Sequence, residues 1–323
     1  MTEAGVDLRR QLGSLLSRGQ ASDAASLLGR LADEGNADAQ YELGLWRLYG
    51  QYVDRDPEAA ARLFRSAAGQ HHAEAIAADI ALLANGLAGP DHPDAAIRAV
   101  RARAPSDPRY AGQLAALEML EQAPMPVGAC LSQNPDIRLF ADALPPGVCD
   151  YVMDAARSRL APSFVVDPAT RRRVPHPVRT SHGTNFGPVE EDCVINAINR
   201  RIAAITGTDW RAGEMLHVLR YTPGQQYRLH HDGLPQVTNQ RQWTAIVYLN
   251  EAFEGGATDF PLIGLQVAPR RGAMLLFANT TADGAIDSRT RHAGTAVDRG
   301  EKWVATRWIR TRKWTPWCDD AAA

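Results

Sequence analysis

The sequence predicts an α+β protein of more than one domain, with an N-terminal α-helical repeat array (a solenoid) followed by a small β sandwich or barrel. The chain has 323 residues, more than a single ordinary hydrophobic core requires. Residues 1–120 are rich in Ala and Leu and place their apolar residues at helical spacing. From Met215 onward, short apolar runs alternate with Gly and Pro, as is typical of all-β sandwiches and barrels.

An internal period supports the helical half of this prediction. The segment Asp56–Ala60 recurs as His92–Ala96, and Ala37–Ala39 recurs as Ala73–Ala75, both at an offset of 36 residues. A period in the mid-thirties with small residues at fixed places predicts stacked helical pairs, each burying its apolar stripe on the next. The alternative is a helical bundle with accidental alanine spacing, which the shared offset of separate segments disfavours.

The expected domain boundaries are a repeat domain at residues 1–120, a linker at 121–136 and a second domain at 137–323. The linker is expected because two prolines and a glycine fall within Pro124–Gly128. Beyond it, Val148–Leu160 and Val189–Thr206 carry the apolar spacing of helices.

Composition and charge narrow the class of protein. Hydrophobic residues make up 45% of the chain and charged residues 22%, with a net charge of −2 and a pI near 6.5. These values are typical of a globular protein and do not favour nucleic acid or membrane as a partner. The N-terminus does not resemble a secretory signal, and the four cysteines have no CxxC spacing. A cytoplasmic location is therefore expected.

His230 and Asp232 are the first candidate ligands of a metal ion. If Gln226–Asp232 is a strand, these two residues point to one face, while His231 points to the other and is excluded. A third ligand must come from another strand, and His292 is the candidate. Two histidines and one carboxylate leave the remaining metal positions open, which suits Fe(II) that binds an organic co-substrate and O2 together. Zinc is the competing metal, although catalytic zinc sites usually keep fewer open positions.

The residues around these ligands carry a resemblance. The matching elements are Tyr221–Asp232, Thr244–Asn250, Gly255–Pro261, Gly272–Phe277 and His292–Ile309. In order and spacing they resemble the prolyl 4-hydroxylase branch of the Fe(II)/2-oxoglutarate-dependent dioxygenases, over roughly residues 135–312. In the N-terminal part, Ala39–Gly44 followed by Tyr49 and Gly50 resembles the Sel-type repeat of the tetratricopeptide-like class.

This resemblance implies a double-stranded β-helix (jelly-roll) catalytic domain with flanking helices. It implies that His230, Asp232 and His292 hold Fe(II) and act in catalysis. The implied reaction is hydroxylation, in which 2-oxoglutarate and O2 are consumed and succinate and CO2 are released. Ascorbate is the reductant expected for this family.

Three further residues are assigned to the co-substrate by the same resemblance. Lys302, ten positions after His292, matches the family's lysine for the far carboxylate of 2-oxoglutarate. Tyr221 matches a tyrosine that hydrogen-bonds the co-substrate, with simple core packing as the alternative. Thr306 is a candidate to assist in binding the same anion.

The prime substrate is expected over the open metal position. The candidate walls of its site are Arg179, Trp243, Tyr248 and Trp308. For the two tryptophans, the alternative is an ordinary place in the core. Two polar loops, Asp167–Pro177 and Asp283–Arg291, are expected to act as lids.

The function that follows from these expectations is hydroxylation of prolyl residues in a peptide or protein held by the N-terminal repeats, because solenoids supply concave binding surfaces. The alternative is hydroxylation of a free amino acid or other small molecule, with the repeats used for protein assembly. A repeat adaptor without chemistry is disfavoured by the intact set of His230, Asp232, His292 and Lys302.

Overall fold

The structure is a computed structural model, described here for residues 3–166, 173–175 and 178–317. The chain divides into two compact units. The first contains residues 1–114 and 187–196, and the second contains residues 115–186 and 197–323. The first unit is therefore assembled from two separate stretches of chain.

Helices make up the N-terminal part of the described chain. They are α1 (Glu3–Ser17), α2 (Ala21–Asp33), α3 (Ala37–Tyr49), α4 (Pro57–Gly69), α5 (Ala73–Asn85), α6 (Pro93–Arg103) and α7 (Pro108–Gln122). Consecutive helices from α2 to α6 pack on one another, as expected for stacked helical pairs. None of the helices in the described chain combines the length and apolar character that crossing a membrane requires.

The predicted period appears in how the helices begin and end. Asn36 accepts a backbone N–H of the first turn of α3 at 2.9 Å, and His72 accepts one of α5 through Nδ1 at 3.1 Å. The same two helices end at Gly50 and Gly86, whose φ values of 65° and 64° suit glycine. The two N-terminal caps are 36 residues apart, and so are the two C-terminal glycines. The period in the sequence therefore corresponds to repeated helix ends.

Small residues allow α3 and α4 to approach closely. A Cβ on Gly44 of α3 would lie 2.5 Å from Cε1 of Phe64 on α4, and Phe64 is fully buried. The hydrophobic core of the first helices includes Leu8, Leu28 and Trp46. The helical-repeat prediction is confirmed by this packing.

Residues 187–196 complete the first unit. Asn85, the last residue of α5, is buried and donates from Nδ2 to the carbonyl oxygen of Pro188 at 2.8 Å. Its Oδ1 accepts from the N–H of Leu87 at 3.1 Å. One amide side chain thus hydrogen-bonds backbone groups of both stretches of this unit.

The second unit is mainly β structure. Its described strands are β1 (Gly128–Gln133), β2 (Asp136–Phe140), β3 (Ala161–Pro162), β4 (Phe164–Val166), β5 (Arg173–Pro175), β6 (His182–Asn185), β7 (His217–Tyr221), β8 (Tyr227–His230), β9 (Arg241–Tyr248), β10 (Phe253–Gly255), β11 (Thr258–Phe260), β12 (Leu265–Val267), β13 (Met274–Ala278), β14 (His292–Gly294), β15 (Val297–Gly300) and β16 (Lys302–Arg310). Two helices, α8 (Pro146–Arg157) and α9 (Cys193–Thr206), lie close to the positions predicted for them.

Two antiparallel sheets form the jelly roll. The larger has the strand order β1-β2-β13-β9-β16-β7-β6-β3, and the smaller has the order β12-β11-β14-β8. Side chains of the two sheets meet in a shared core, where Phe260 of β11 packs edge-on against Phe277 of β13 with ring centroids 5.2 Å apart. The predicted double-stranded β-helix is confirmed.

The segment expected to be a linker, residues 121–136, contains part of this sheet. β1 begins at Gly128 and pairs antiparallel with β2, so that Gly128 lies opposite Phe140. The prolines that suggested a loop precede the outermost strand of the larger sheet, where proline is tolerated.

Candidate active site

Three neighbouring strands of the larger sheet present alternate residues to a pocket between the sheets. Lys302 of β16 lies opposite Tyr221 of β7, and Trp308 of β16 lies opposite Thr244 of β9. Side chains two residues apart in a strand share a face, so these positions look into the same space. The pocket is therefore layered, with Tyr221 and Lys302 at one end and Trp308 towards the other, while Thr244 is buried beneath it and bonds Asp232.

His230, Asp232 and His292 form one cluster at the smaller sheet. His230 of β8 lies directly opposite His292 of β14, and Asp232 follows two residues after His230. Their ligand atoms lie within 4.8 Å of one another. Nε2 of His230 is 3.5 Å from Oδ1 of Asp232, and Nε2 of His292 is 3.7 Å from Oδ2. Two imidazole nitrogens and a carboxylate thus converge on one point, as a metal site requires.

Backbone carbonyls orient both imidazoles. Nδ1 of His230 lies 2.8 Å from the carbonyl oxygen of Arg228, and Nδ1 of His292 lies 3.0 Å from that of Thr290. Since a carbonyl oxygen only accepts, each Nδ1 carries the proton and donates it. In the neutral imidazole, Nε2 then has its lone pair directed away from this carbonyl and able to bind a metal ion.

Burial and charge set the protonation of this cluster. Burial raises the pKa of the Asp232 carboxyl, but His292 and His230 beside it, with Arg241, hold that pKa below its usual value. Burial lowers the pKa of His292 to about 4, against the attraction of Asp232. At neutral pH the site offers a carboxylate and, at His292, a neutral imidazole, which are the forms that bind metal.

His231 takes no part in the cluster. Its Nδ1 accepts from the N–H of Gly233 at 2.7 Å, so Nε2 carries the proton and donates to the carbonyl oxygen of Asp287 at 3.1 Å. His231 thereby ties the strand that carries His230 to the loop that leads to His292.

Lys302 closes the far end of the pocket with a buried positive charge. It is 5% exposed, and its Nζ donates to the carbonyl oxygen of Gly256 at 2.6 Å. Burial lowers its pKa to about 8. A Cβ on Gly294 would lie 3.8 Å from Nζ, and Gly294 is two residues beyond His292 in β14. Two strand residues span about 7 Å, a separation that suits a short diacid reaching from the metal cluster to the ammonium.

Tyr221 lies in the same layer as Lys302. Its ring centroid is 5.6 Å from Nζ, and the side chain is buried. Burial raises the pKa of Tyr221, partly offset by Arg179 and by a hydrogen bond with Ser181. The phenol is therefore neutral and able to donate a hydrogen bond to an anion.

Thr306 lines the same pocket at a different height. It lies opposite His217 and four residues from Lys302, which is about 13 Å of strand. That Thr306 assists Lys302 on one anion therefore stays a prediction.

A wider cavity adjoins the pocket at the Trp308 end. Its volume is about 330 Å³, against about 40 Å³ for the pocket itself, and the two share Tyr227 and Trp308. The guanidinium carbon of Arg241 lies 4.0 Å from the Trp308 ring centroid, and that of Arg179 lies 5.6 Å from the Tyr227 ring centroid. Arg241 also binds Glu214 through two hydrogen bonds of 2.6 and 2.7 Å. Aromatic faces edged by fixed charges thus line the approach to the metal cluster.

Of the four residues predicted to form walls of the substrate site, two line the wider cavity and two do not. Arg179 and Trp308 line the wider cavity. Trp243 precedes Thr244 in β9, so its side chain points to the opposite face and lines neither space. Tyr248 is fully buried at the other end, with its ring centroid 5.8 Å from Nζ of Lys302.

The two predicted lids differ in what the structure shows. Residues 167–172 and 176–177 of the first loop lie outside the described residues, and 173–175 form β5, which pairs with β4. The second loop is ordered by its own contacts. Thr280 bridges to Ile286, and Asp287 caps a short 3-10 helix at Ser288–Thr290.

Sequence reasoning did not assign roles to several polar residues that the structure places at the site. They are His217, Arg241, Thr244 and Asn279. His217 lies an even number of residues from Tyr221, and Thr244 an even number from Tyr248. Strand alternation therefore places each on the same face as a predicted site residue. Arg241 begins β9 and Asn279 follows β13, and no periodicity marks such positions.

Known proteins share both parts of this architecture. Residues 216–310 match the 2OG-Fe(II) oxygenase superfamily, and residues 37–72 match the Sel1 repeat. Prolyl 4-hydroxylase 1 of Arabidopsis thaliana is 38% identical over 201 residues, which cover 56% of this chain and 71% of that protein. Rat prolyl 4-hydroxylase subunit alpha-1 is 34% identical over 188 residues, covering 55% of this chain and 35% of that protein. The solved viral collagen prolyl hydroxylase of Paramecium bursaria Chlorella virus 1, in its 2OG complex, is 29% identical with a TM-score of 0.45, covering 55% of this chain and 96% of that chain.

The fold and the site define a 2-oxoglutarate-dependent dioxygenase. More narrowly, the chain belongs to the prolyl 4-hydroxylase family. The residues fit the iron that this superfamily implies, because two nitrogen donors and one oxygen donor on one side of a metal leave positions for co-substrate and O2.

Proposed function

We propose that the protein hydroxylates prolyl residues in a peptide or protein, with Fe(II) as its metal and 2-oxoglutarate as co-substrate. The observation that carries this proposal is the shared pocket of the His230, Asp232 and His292 cluster and the buried Lys302, in a chain that is 38% identical over 201 residues to a prolyl 4-hydroxylase. Succinate and CO2 are the expected co-products, and ascorbate the expected reductant.

Each residue of the pocket has a defined task in this proposal. His230, Asp232 and His292 hold Fe(II), which when bound supplies the oxidising chemistry for an unactivated C–H bond. Lys302 pairs with the far carboxylate of 2-oxoglutarate, and Tyr221 donates to the same end. Gly294, which has no side chain facing Nζ, leaves space for this carboxylate.

The wider cavity supports a polypeptide substrate. Its aromatic walls, Tyr227 and Trp308, suit the apolar ring of proline, while Arg179, Glu214 and Arg241 offer groups for peptide amides. Sel1 repeats in the N-terminal part support a role in holding a peptide or protein. In this proposal the repeats select the substrate and the jelly roll carries out the oxidation.

Succinate release with defined substrates tests the proposal. The full-length protein is incubated with Fe(II), ascorbate, 2-oxoglutarate and a synthetic proline-rich peptide, and parallel reactions contain a peptide with Ala for every Pro, or free L-proline. We expect succinate above background and a mass gain of one oxygen atom on proline only with the first peptide. Asp232→Ala should give neither, because it removes the anionic ligand.

Turnover of free L-proline without turnover of any proline-containing peptide would instead establish the small-molecule alternative. Absence of Fe(II) and 2-oxoglutarate binding by the purified protein would refute both versions.

A further inference from the structure

Asp232 is held from behind by two buried polar side chains. Its Oδ2 accepts from Oγ1 of Thr244 at 2.8 Å, and Oγ1 of Thr244 lies 2.8 Å from Nδ2 of Asn279. Thr244 and Asn279 are both completely buried. The three side chains form a short relay that ends on one oxygen of the metal-binding carboxylate.

The chemistry of the three groups allows only one direction for this relay. An ionised carboxylate can only accept, so Thr244 must donate its single hydroxyl proton to Asp232. The Thr244 oxygen is then left to accept, and within Asn279 only Nδ2 can donate to it. Oδ1 of Asn279 is buried without a hydrogen-bond partner among the described residues. Leaving that oxygen unbonded is unfavourable, so the amide is held for its donor side.

The backbone around Asn279 fixes the start of the relay. Its N–H donates to the carbonyl oxygen of Gln242 at 2.8 Å, and its own carbonyl accepts from the N–H of Asp287 at 2.9 Å. Asn279 is therefore hydrogen-bonded both to Gln242 of β9 and to Asp287, in the loop that leads to His292.

We propose that Thr244 and Asn279 are positioning residues: the hydrogen bond from Thr244 fixes the orientation of the Asp232 carboxylate, so that Oδ1 rather than both oxygens is presented to the metal. Both oxygens face the cluster, since Oδ1 lies 3.5 Å from Nε2 of His230 and Oδ2 lies 3.7 Å from Nε2 of His292, but only Oδ2 accepts the Thr244 hydroxyl. Iron held by three protein ligand atoms would keep three of six positions, for the two donor atoms of the co-substrate and for O2. If both oxygens of Asp232 bound, the co-substrate would fill the last two positions and leave none for O2.

This inference rests on the metal site of the proposed function but not on its prolyl substrate. Its test therefore uses no peptide, and a failure of the prolyl proposal leaves it standing. The probe is nitric oxide, added under anaerobic conditions to the Fe(II)-loaded full-length protein saturated with 2-oxoglutarate. Electron paramagnetic resonance reports nitric oxide bound at the remaining iron position.

Thr244→Val removes the hydroxyl while keeping the shape of the side chain. We expect its affinity for nitric oxide to fall at least about tenfold, as is common when a group behind a ligand is lost. Thr244→Ser restores the hydroxyl and should bind nitric oxide like the unmodified protein. The matched control is Thr206→Val in α9, whose hydroxyl bonds only within the region Ile202–Thr208 and should change nothing.

Two outcomes would overturn the proposal. One is unchanged nitric oxide affinity in Thr244→Val, and the other is a loss in Thr244→Ser as large as in Thr244→Val. If Thr244→Val does not fold or bind iron, Asn279→Ala decides the question, because it leaves the hydroxyl present but unsupported. We expect a smaller loss of nitric oxide affinity there, and an unchanged affinity would remove Asn279 from the relay.

Discussion

Lys302 links co-substrate binding to pH through a buried ammonium. Burial lowers its pKa from 10.5 to about 8. Because the folded-state pKa lies below the unfolded-state value, the metal-free protein should gain stability as the pH rises from about 8 to 10.5. Binding the carboxylate of 2-oxoglutarate has the opposite requirement, since it needs the charged form. Folding and binding therefore place opposite demands on this side chain.

We expect the affinity of the Mn(II)-loaded protein for 2-oxoglutarate to weaken as the pH rises through about 8. Lys302→Met removes the charge at similar length and should weaken binding by about 2 kcal/mol or more, roughly thirtyfold, with little dependence on pH. Titration calorimetry across this pH range measures both effects. Lys313→Met, at the chain's other, exposed lysine, is the control. Wild-type affinity in Lys302→Met would remove Lys302 from this role.

The close contact between helices α3 and α4 depends on a glycine at position 44. Gly44 faces Phe64 so closely that a Cβ would lie 2.5 Å from its ring. Gly29 of α2 is also inside a helix, but a Cβ there would meet nothing within 4 Å. Both glycines have the same low helix propensity, but Gly44 is tightly packed and Gly29 faces open space. Comparing substitutions at the two positions therefore separates the effect of packing from that of helix propensity.

We therefore expect two alanine substitutions to change stability in opposite directions. Gly29→Ala should stabilise its helix by about 1 kcal/mol through propensity. Gly44→Ala should be destabilising overall, because overpacking, which typically costs about 1–3 kcal/mol, outweighs the same gain in propensity. Urea unfolding followed by circular dichroism measures both. Stabilisation by both substitutions would show that the α3–α4 contact adjusts readily.

Strand alternation explains which parts of the site could be predicted from the sequence. His230 and Asp232 share a face because they are two residues apart, and the structure brings His292 to them. Trp243 lies on the face of β9 opposite to Thr244, and a hydrophobic run does not reveal which residues of a strand look inward. Asn279 could not be found from its own surroundings, because its partner Thr244 is distant in sequence and the contact depends on how β13 pairs with β9.

The two units have separate hydrophobic cores. The core of the jelly roll includes Tyr221 and Phe277, and that of the helices includes Leu28 and Trp46. The candidate metal and co-substrate site lies entirely within the second unit. Ligands that bind there act directly on the stability of the jelly roll.

We expect Mn(II) and 2-oxoglutarate together to raise the unfolding temperature of the jelly roll. A ligand at about a hundred times its Kd adds about 2.7 kcal/mol to the folded state. Scanning calorimetry with both ligands, and again after a chelator has removed the metal, measures the effect. Asp232→Ala should abolish the shift, while Asp259→Ala in β11 should retain it. A full shift in Asp232→Ala would place the metal elsewhere.

The second stretch of the first unit has a consequence for how such an enzyme evolves. Because residues 187–196 belong with the helices but lie between β6 and the end of α9 in the chain, the helical unit is discontinuous in the gene. A single recombination breakpoint after the helices would carry away α5 and leave behind the Pro188 carbonyl that Asn85 binds. A helical fragment cut out at such a point would therefore lack the acceptor that its buried Asn85 amide requires.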